Sequence, residues 1–215
     1  MNVLNSLQQL IRSRRVAIMI ASAGLIVACN SGSQGTNAGT STTGVPFAPA
    51  TETDSFYMQP AQIPDVPPGT ILKSKAVTFA PGGIPQPNKA WLLQYTTRDV
   101  NDRPLVAVAA VVQPLQPSST GIKPLVAYQF AYDSLGNSCV PSRTVTGDHS
   151  NTYNELESPE FQVAQALSGP MSGLENQGWT LVFADYEGPY HAFGAGKLSG
   201  QATLDAIRAA LAFEP

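Results

Sequence analysis

Histidine and cysteine are almost missing from this 215-residue chain, with two of each. His149 and His191 are far too few for a histidine-rich metal set, and no second acidic cluster makes up the deficit. Charge is scarce as well: only 13% of residues are Asp, Glu, Lys or Arg, and the net charge is -3. Nothing in that balance invites a nucleic acid. Nor is there a Gly-x-Ser-x-Gly segment, the strand-to-helix elbow that exposes a serine nucleophile. Ser134 lacks those glycines, and the serines of GPMSG and GKLSG stand at the wrong place in theirs. A complete Ser-His-acid set is therefore not expected within these residues.

Long apolar runs are also lacking. The longest near the start, VAIMIASAGLIVA over Val16–Ala28, is too short to span a bilayer comfortably. With Arg12, Arg14 and Arg15 before it, it fits the apolar region of a signal peptide. It ends in Ile26-Val27-Ala28-Cys29, and small residues before a Cys at that point resemble the lipobox of bacterial lipoproteins. That likeness implies lipidation at Cys29, export, and anchoring at the outer membrane or cell surface. Residues 1–28 carry three Arg and no acid, so a chain starting at Cys29 has net charge near -6. Residues 29–50 form an uncharged Gly/Ser/Thr/Asn-rich tract, read as a flexible tether reaching roughly 25 Å.

What is present lies in residues 51–215. Four prolines between Phe56 and Val77 argue against regular structure before Thr70, after which TILKSKAV can form a short strand. WLLQYTT and LVAVAAVVQ, joined by the polar turn RDVNDRP, predict a hairpin. PLVAYQFAY and WTLVFAD are nearly all apolar, as strands covered on both faces are. EFQVAQAL, over Glu160–Leu167, predicts a helix between them. SGQATLDAIRAAL predicts a last one, capped by Ser199, with Leu204, Ile207 and Leu211 on its apolar face and Asp205 pairing with Arg208 on its polar side. Strand, helix, strand is the mark of a parallel sheet, whose function gathers at the carboxyl ends of its strands.

Two such ends carry polar residues. The first runs into YDSLGNSCVPSRTVTGD, where Asp133 either orders the loop or helps aim an oxyanion-binding backbone amide. The second runs into FADYEGPYHAFGAGKLSG, where Asp185 and Glu187 can share a face, for acid–base work, for binding a metal, or as loop-ordering acceptors of backbone amides. His191, after a Gly-Pro turn, reads as a surface loop residue. Gly194-Ala195-Gly196 suggests a phosphate loop only faintly. A single thiol, Cys139, remains in an exported chain; it is either a buried free thiol or one half of a disulfide.

YDSLGNSCVPSRTVTGD, GWTLVFADYEGP and AFGAGKLSGQATLDAIRAAL, with FYMQPAQIPDVPPGTILKSKAV and AWLLQYTTRDVNDRP upstream, together resemble the secretory lipase family. The resemblance covers about Phe56 to Phe213 and implies the N-terminal part of an α/β-hydrolase sheet, interrupted before the nucleophile elbow. It implies that Asp133 is the oxyanion-hole Asp and that Cys139 pairs with a cysteine far downstream. The implied activity is serine hydrolysis of carboxylic esters such as acylglycerols, with no cofactor. Nucleophile and base have no counterpart here, so the chain alone is expected to be inactive, with an open sheet edge where the next strand belongs. The alternative is a lipid-anchored remnant or binding module without catalysis.

Overall fold

The computed structural model describes the backbone of residues 16–19, and residues 52–129, 131–132, 140–148, 174 and 177–214. The expected strands are all present: β2 (Ile71–Thr78), β3 (Lys89–Arg98), β4 (Pro104–Val112), β5 (Leu125–Tyr128) and β6 (Thr180–Ala184). β3 and β4 pair antiparallel from Ala90↔Val112 to Arg98↔Pro104, so the RDVNDRP hairpin holds. β5 and β6 pair parallel, which bears out the strand-crossover-strand reading. The helix expected over Glu160–Leu167 lies outside the described residues.

A further strand, β1 (Val16–Met19), comes from the apolar N-terminal tract and pairs parallel with β5, Val16 opposite Leu125 and Met19 opposite Tyr128. The six strands run in the order β1-β5-β6-β4-β3-β2. The edge expected to stand open beyond β5 is therefore covered in this structure, by the chain's own first apolar segment.

Alternation along the strands splits the core in two. On β4, Val108, Ala110 and Val112 face one layer with Leu92, Val126, Leu181, Phe183 and Phe56. Ala107, Ala109 and Val111 face the other, with Leu93, Tyr95, Leu125, Val182 and Ala206. Both faces are dry because each side-chain set of period two has its own cover. Helix α2 (Gly196–Ala212) covers the second face. The short helix α1 (Pro141–Thr146) contributes Val145 to the first.

The burial of α2 corrects one residue of the sequence-based face. Ile207 is buried and Leu211 packs against the core as expected, but Leu204 is 47% exposed, and Leu198, Ala202, Ala206, Ala209 and Ala210 complete the contact. Small side chains let the helix lie close to the sheet, close enough for the Tyr95 hydroxyl to donate to the Ala202 carbonyl at 2.8 Å. Asp205 is not on a solvated face. It pairs with Arg208 as expected, but it is buried and accepts a 2.8 Å bond from Thr97 Oγ1 of β3. Nor does Ser199 cap the helix, which starts three residues earlier at Gly196; the Ser199 hydroxyl donates back to the Ala195 carbonyl at 3.3 Å.

Candidate functional site

β5 and β6 run parallel, so their carboxyl ends lie at one edge of the sheet. β6 ends at Ala184, and the turn Asp185-Tyr186-Glu187 follows directly. The Asp185 amide still donates to the Val108 carbonyl at 2.9 Å, which fixes the start of the turn to β4.

Asp185 is buried, and its partners come from α1. The Ser142 amide donates to Oδ1 at 2.8 Å and the Ser142 hydroxyl to Oδ2 at 2.7 Å. Val140 at the N-cap of α1 makes no side-chain cap bond, so Asp185 supplies from a distant strand the acceptor that a helix start needs. Tyr57 adds a third link, its hydroxyl lying 3.0 Å from Ser142 Oγ. Burial outweighs these bonds and the nearby Arg143 charge, and it pushes the Asp185 carboxyl up to about 7. Desolvation, reinforced by the Asp185 charge, likewise keeps the Tyr57 phenol protonated.

Arg143 is the largest fully buried side chain among the described residues. Its Nη1 meets Asp148 Oδ2 at 2.7 Å and its Nη2 meets Glu52 at 3.1 Å, while the guanidinium carbon stands 4.2 Å from the Tyr57 ring centroid. One cation thus holds the segment before the first long strand, the end of α1, and the aromatic wall beside Asp185.

Glu187 is buried, and its amide donates to the Tyr132 hydroxyl at 3.0 Å. The Tyr132 ring meets Tyr186 edge-on at 4.9 Å. The Asp185 carboxylate thus orders the turn by accepting the Ser142 amide and hydroxyl, and the Glu187 backbone amide ties the same turn to Tyr132. His191 departs from the surface reading. It is half-buried in a left-handed conformation (φ 49°), desolvation lowers its pKa, and its Nδ1 has no partner among the described residues. Next to Asp185 a cavity of about 20 Å³, lined by Tyr57, Val108, Val140 and Gly188 among others, has room for one water and no substrate. Ser142 is inaccessible and bonded directly to a carboxylate, with no imidazole between, so it cannot attack a substrate. Among the described residues no group of His, Cys, Asp and Glu could hold a metal ion.

Asp133, Ser134, Cys139 and His149 lie outside the described residues, as does Cys29. The sequence reading missed Tyr57, Tyr132, Ser142 and Arg143, and it took α1 for part of a loop. A signal was there: Pro141 at the first helical position and Gly147 after the last, left-handed at φ 67°, bracket a short helix.

A sheet of this order, with buried parallel strands and polar turns at one edge, is the first part of an α/β-hydrolase sheet. Residues 161–215 match the secretory lipase family. The chain is similar to Candida antarctica lipase A in its closed state, with a TM-score of 0.62 and 29% identity over 73% of this chain and 34% of that one. Among sequences, a probable inactive lipase of Mycobacterium tuberculosis is 34% identical over 163 residues, covering 74% of this chain and 34% of the relative. A secreted triacylglycerol lipase of Malassezia globosa is 31% identical over 164 residues, 75% of this chain and 33% of the relative. The chain thus resembles secretory lipases and spans about a third of the length of the relatives it matches.

Proposed function

We propose that this chain is the N-terminal part of a serine hydrolase of carboxylic esters, of the triacylglycerol lipase kind. The observation that carries the reading is the likeness to lipase A, which covers 73% of this chain at 29% identity. In this reading Asp133, after β5, forms part of the oxyanion hole, and Cys139 awaits a partner beyond the chain. Cys29 carries a lipid that holds the exported domain at the outer membrane or cell surface, and residues 30–50 are the tether. The substrate is an ester such as an acylglycerol, and no cofactor takes part.

Acyl transfer needs nucleophile, base and oxyanion donors in one place. The 215 residues offer no Gly-x-Ser-x-Gly elbow, so the purified chain is expected to hydrolyse p-nitrophenyl esters no faster than buffer. Turnover that disappears on Ser134→Ala would overturn this.

One observation favours the second reading, a member without catalysis: the M. tuberculosis relative is itself named an inactive lipase. The coding sequence beyond Pro215 separates the two. A Gly-x-Ser-x-Gly elbow within a few tens of residues supports the enzyme, and a stop codon supports the non-catalytic module.

A further inference from the structure

β2 and β5 face opposite sides of the sheet with opposite characters. β2 is built as an edge. Lys73, Ser74, Lys75 and Ala76 are exposed, and a bulge between Ile71 and Lys73 shifts its register with β3. Lysines and bulges on an outer strand keep other chains from pairing with it. β5 has neither device. Leu125–Tyr128 is uncharged, its pairing with β6 runs without a shift, and all four residues are buried. Leu125 and Ala127 join one core layer, Val126 and Tyr128 the other. Covered on both faces, β5 is built as an interior strand.

An interior strand needs a neighbour on each side. The Thr180 amide of β6 donates to the Pro124 carbonyl at 2.9 Å. Backbone groups alternate in direction along a strand, so Val126 and Tyr128 also aim theirs at β6. Leu125 and Ala127 aim theirs the other way, and Val16–Met19 is what meets them. Left bare, those amides and carbonyls would stand unpaired beside a dry core, which costs as much as lost hydrogen bonds. Yet β1 is only four residues long, it stands last in the sheet, and residues 20–51 separate it from Glu52. No short connection forces it into place; the ladder alone does.

We infer that the outer edge of β5 is a strand-docking surface, which takes an extended apolar segment running parallel to β5. Val16–Met19 occupies it exchangeably, so that the same segment supplied as a separate peptide can take its place. The direction follows from the register, with Val16 opposite Leu125 and Met19 opposite Tyr128. The apolar preference follows from the surroundings, because a charge placed beside a strand buried on both faces would be desolvated. Main-chain hydrogen bonds supply the affinity, as they do wherever a peptide adds a strand to a sheet. The inference does not rest on the ester-hydrolase reading and stands or falls separately from it.

The test is amide hydrogen exchange on the full chain at residue resolution. Ala17→Pro removes a ladder donor from β1. It is expected to speed exchange of the Ala127 amide about tenfold or more, while the Val126 and Tyr128 amides, which face β6, stay unchanged. The peptide RRVAIMIA, the sequence of residues 14–21, is then added to that variant at about millimolar concentration and is expected to restore protection of Ala127. The same peptide carrying Ile18→Asp is expected to restore none. A spin label on the amino end of RRVAIMIA should broaden the Leu125 resonance more than that of Tyr128. The inference fails if Ala17→Pro leaves Ala127 protected, or if RRVAIMIA restores nothing. It fails equally if the Ile18→Asp peptide restores as much, or if the label broadens Tyr128 more. Should Ala17→Pro aggregate, the parent chain decides. There Ala127 is expected to exchange through local release of β1, with little dependence on urea, and Val126 and Tyr128 only through unfolding, with a steep one. Equal urea dependence at all three amides would make β1 a permanent strand and overturn the inference.

Discussion

The chain is expected to lose stability as pH rises from about 4 to about 7, with Asp185 as the main cause. Its carboxyl titrates near 7 in the folded chain and at an ordinary 3.8 when unfolded. Between those values the folded state holds a proton that the unfolded state has released. Stability is therefore greatest below the unfolded value and declines until the folded group ionises. A gap of about three pKa units corresponds to about 4 kcal/mol. Three other groups act in other ways. His191, kept neutral by burial, favours the folded state as pH rises through the ordinary histidine range, and so offsets part of the decline. Asp99 and Asp102 titrate below the ordinary carboxylate range, held there by Arg103 and Lys197, and act at lower pH. Urea denaturation at pH 5 and pH 8 measures the net slope. Asp185→Asn is the decisive comparison, because its amide imitates the protonated acid. Asn can accept from the Ser142 amide and donate to Ser142 Oγ, which then donates to Tyr57. The variant should show a flattened profile and should exceed the parent chain in stability at pH 8. A parent chain that gains stability from pH 5 to pH 8 would show that burial does not control this carboxyl.

The second large effect is expected at Arg143. Arg143→Met should destabilise the chain by about 3–5 kcal/mol, the range for breaking a buried ion pair by removing one partner. The guanidinium is fully buried, and its partner Glu52 has a side chain only 14% exposed. Methionine fills much of the space but removes the charge that faces the Glu52 carboxylate. It also removes a positive charge that favours ionised Asp185, so the pH-dependent decline should extend to higher pH. A thermal or urea midpoint gives the size of the loss. The double variant Arg143→Met/Glu52→Gln should cost less than the sum of the two single changes, because they break one interaction. Strict additivity would place the importance of Arg143 in its pair with Asp148 and its packing on Tyr57 instead.

β4, β5 and β6 were legible in the sequence because each is a continuous apolar run with turn residues on either side, and that pattern needs no knowledge of the partner. The hairpin followed from the short link between WLLQYTT and LVAVAAVVQ. The face of α2 was legible in part. Ile207 and Leu211 do pack on the sheet, but Leu204 does not, and the alanines beside them complete the contact. Asp205, read as polar and solvated, is buried with a hydroxyl 108 residues away as its partner. The site shows the same limit. Asp185 and Glu187 stood out as acids at a strand end, and loop ordering was among their expected roles. Their actual partners, Ser142 and Tyr132, are brought to them only by parallel pairing of β5 with β6. Long-range convergence of that kind leaves no local periodicity to read.

The pairing of Val16–Met19 with Leu125–Tyr128 has a consequence for biogenesis. In the proposed reading residues 1–28 are a leader; drawn through a translocation pore it must be extended and unpaired, and proteolysis ahead of Cys29 would discard it. The precursor and the processed form would then differ by a whole strand. Only the precursor would shield the backbone amides and carbonyls of β5, while the shorter form would present them to any extended polypeptide within reach.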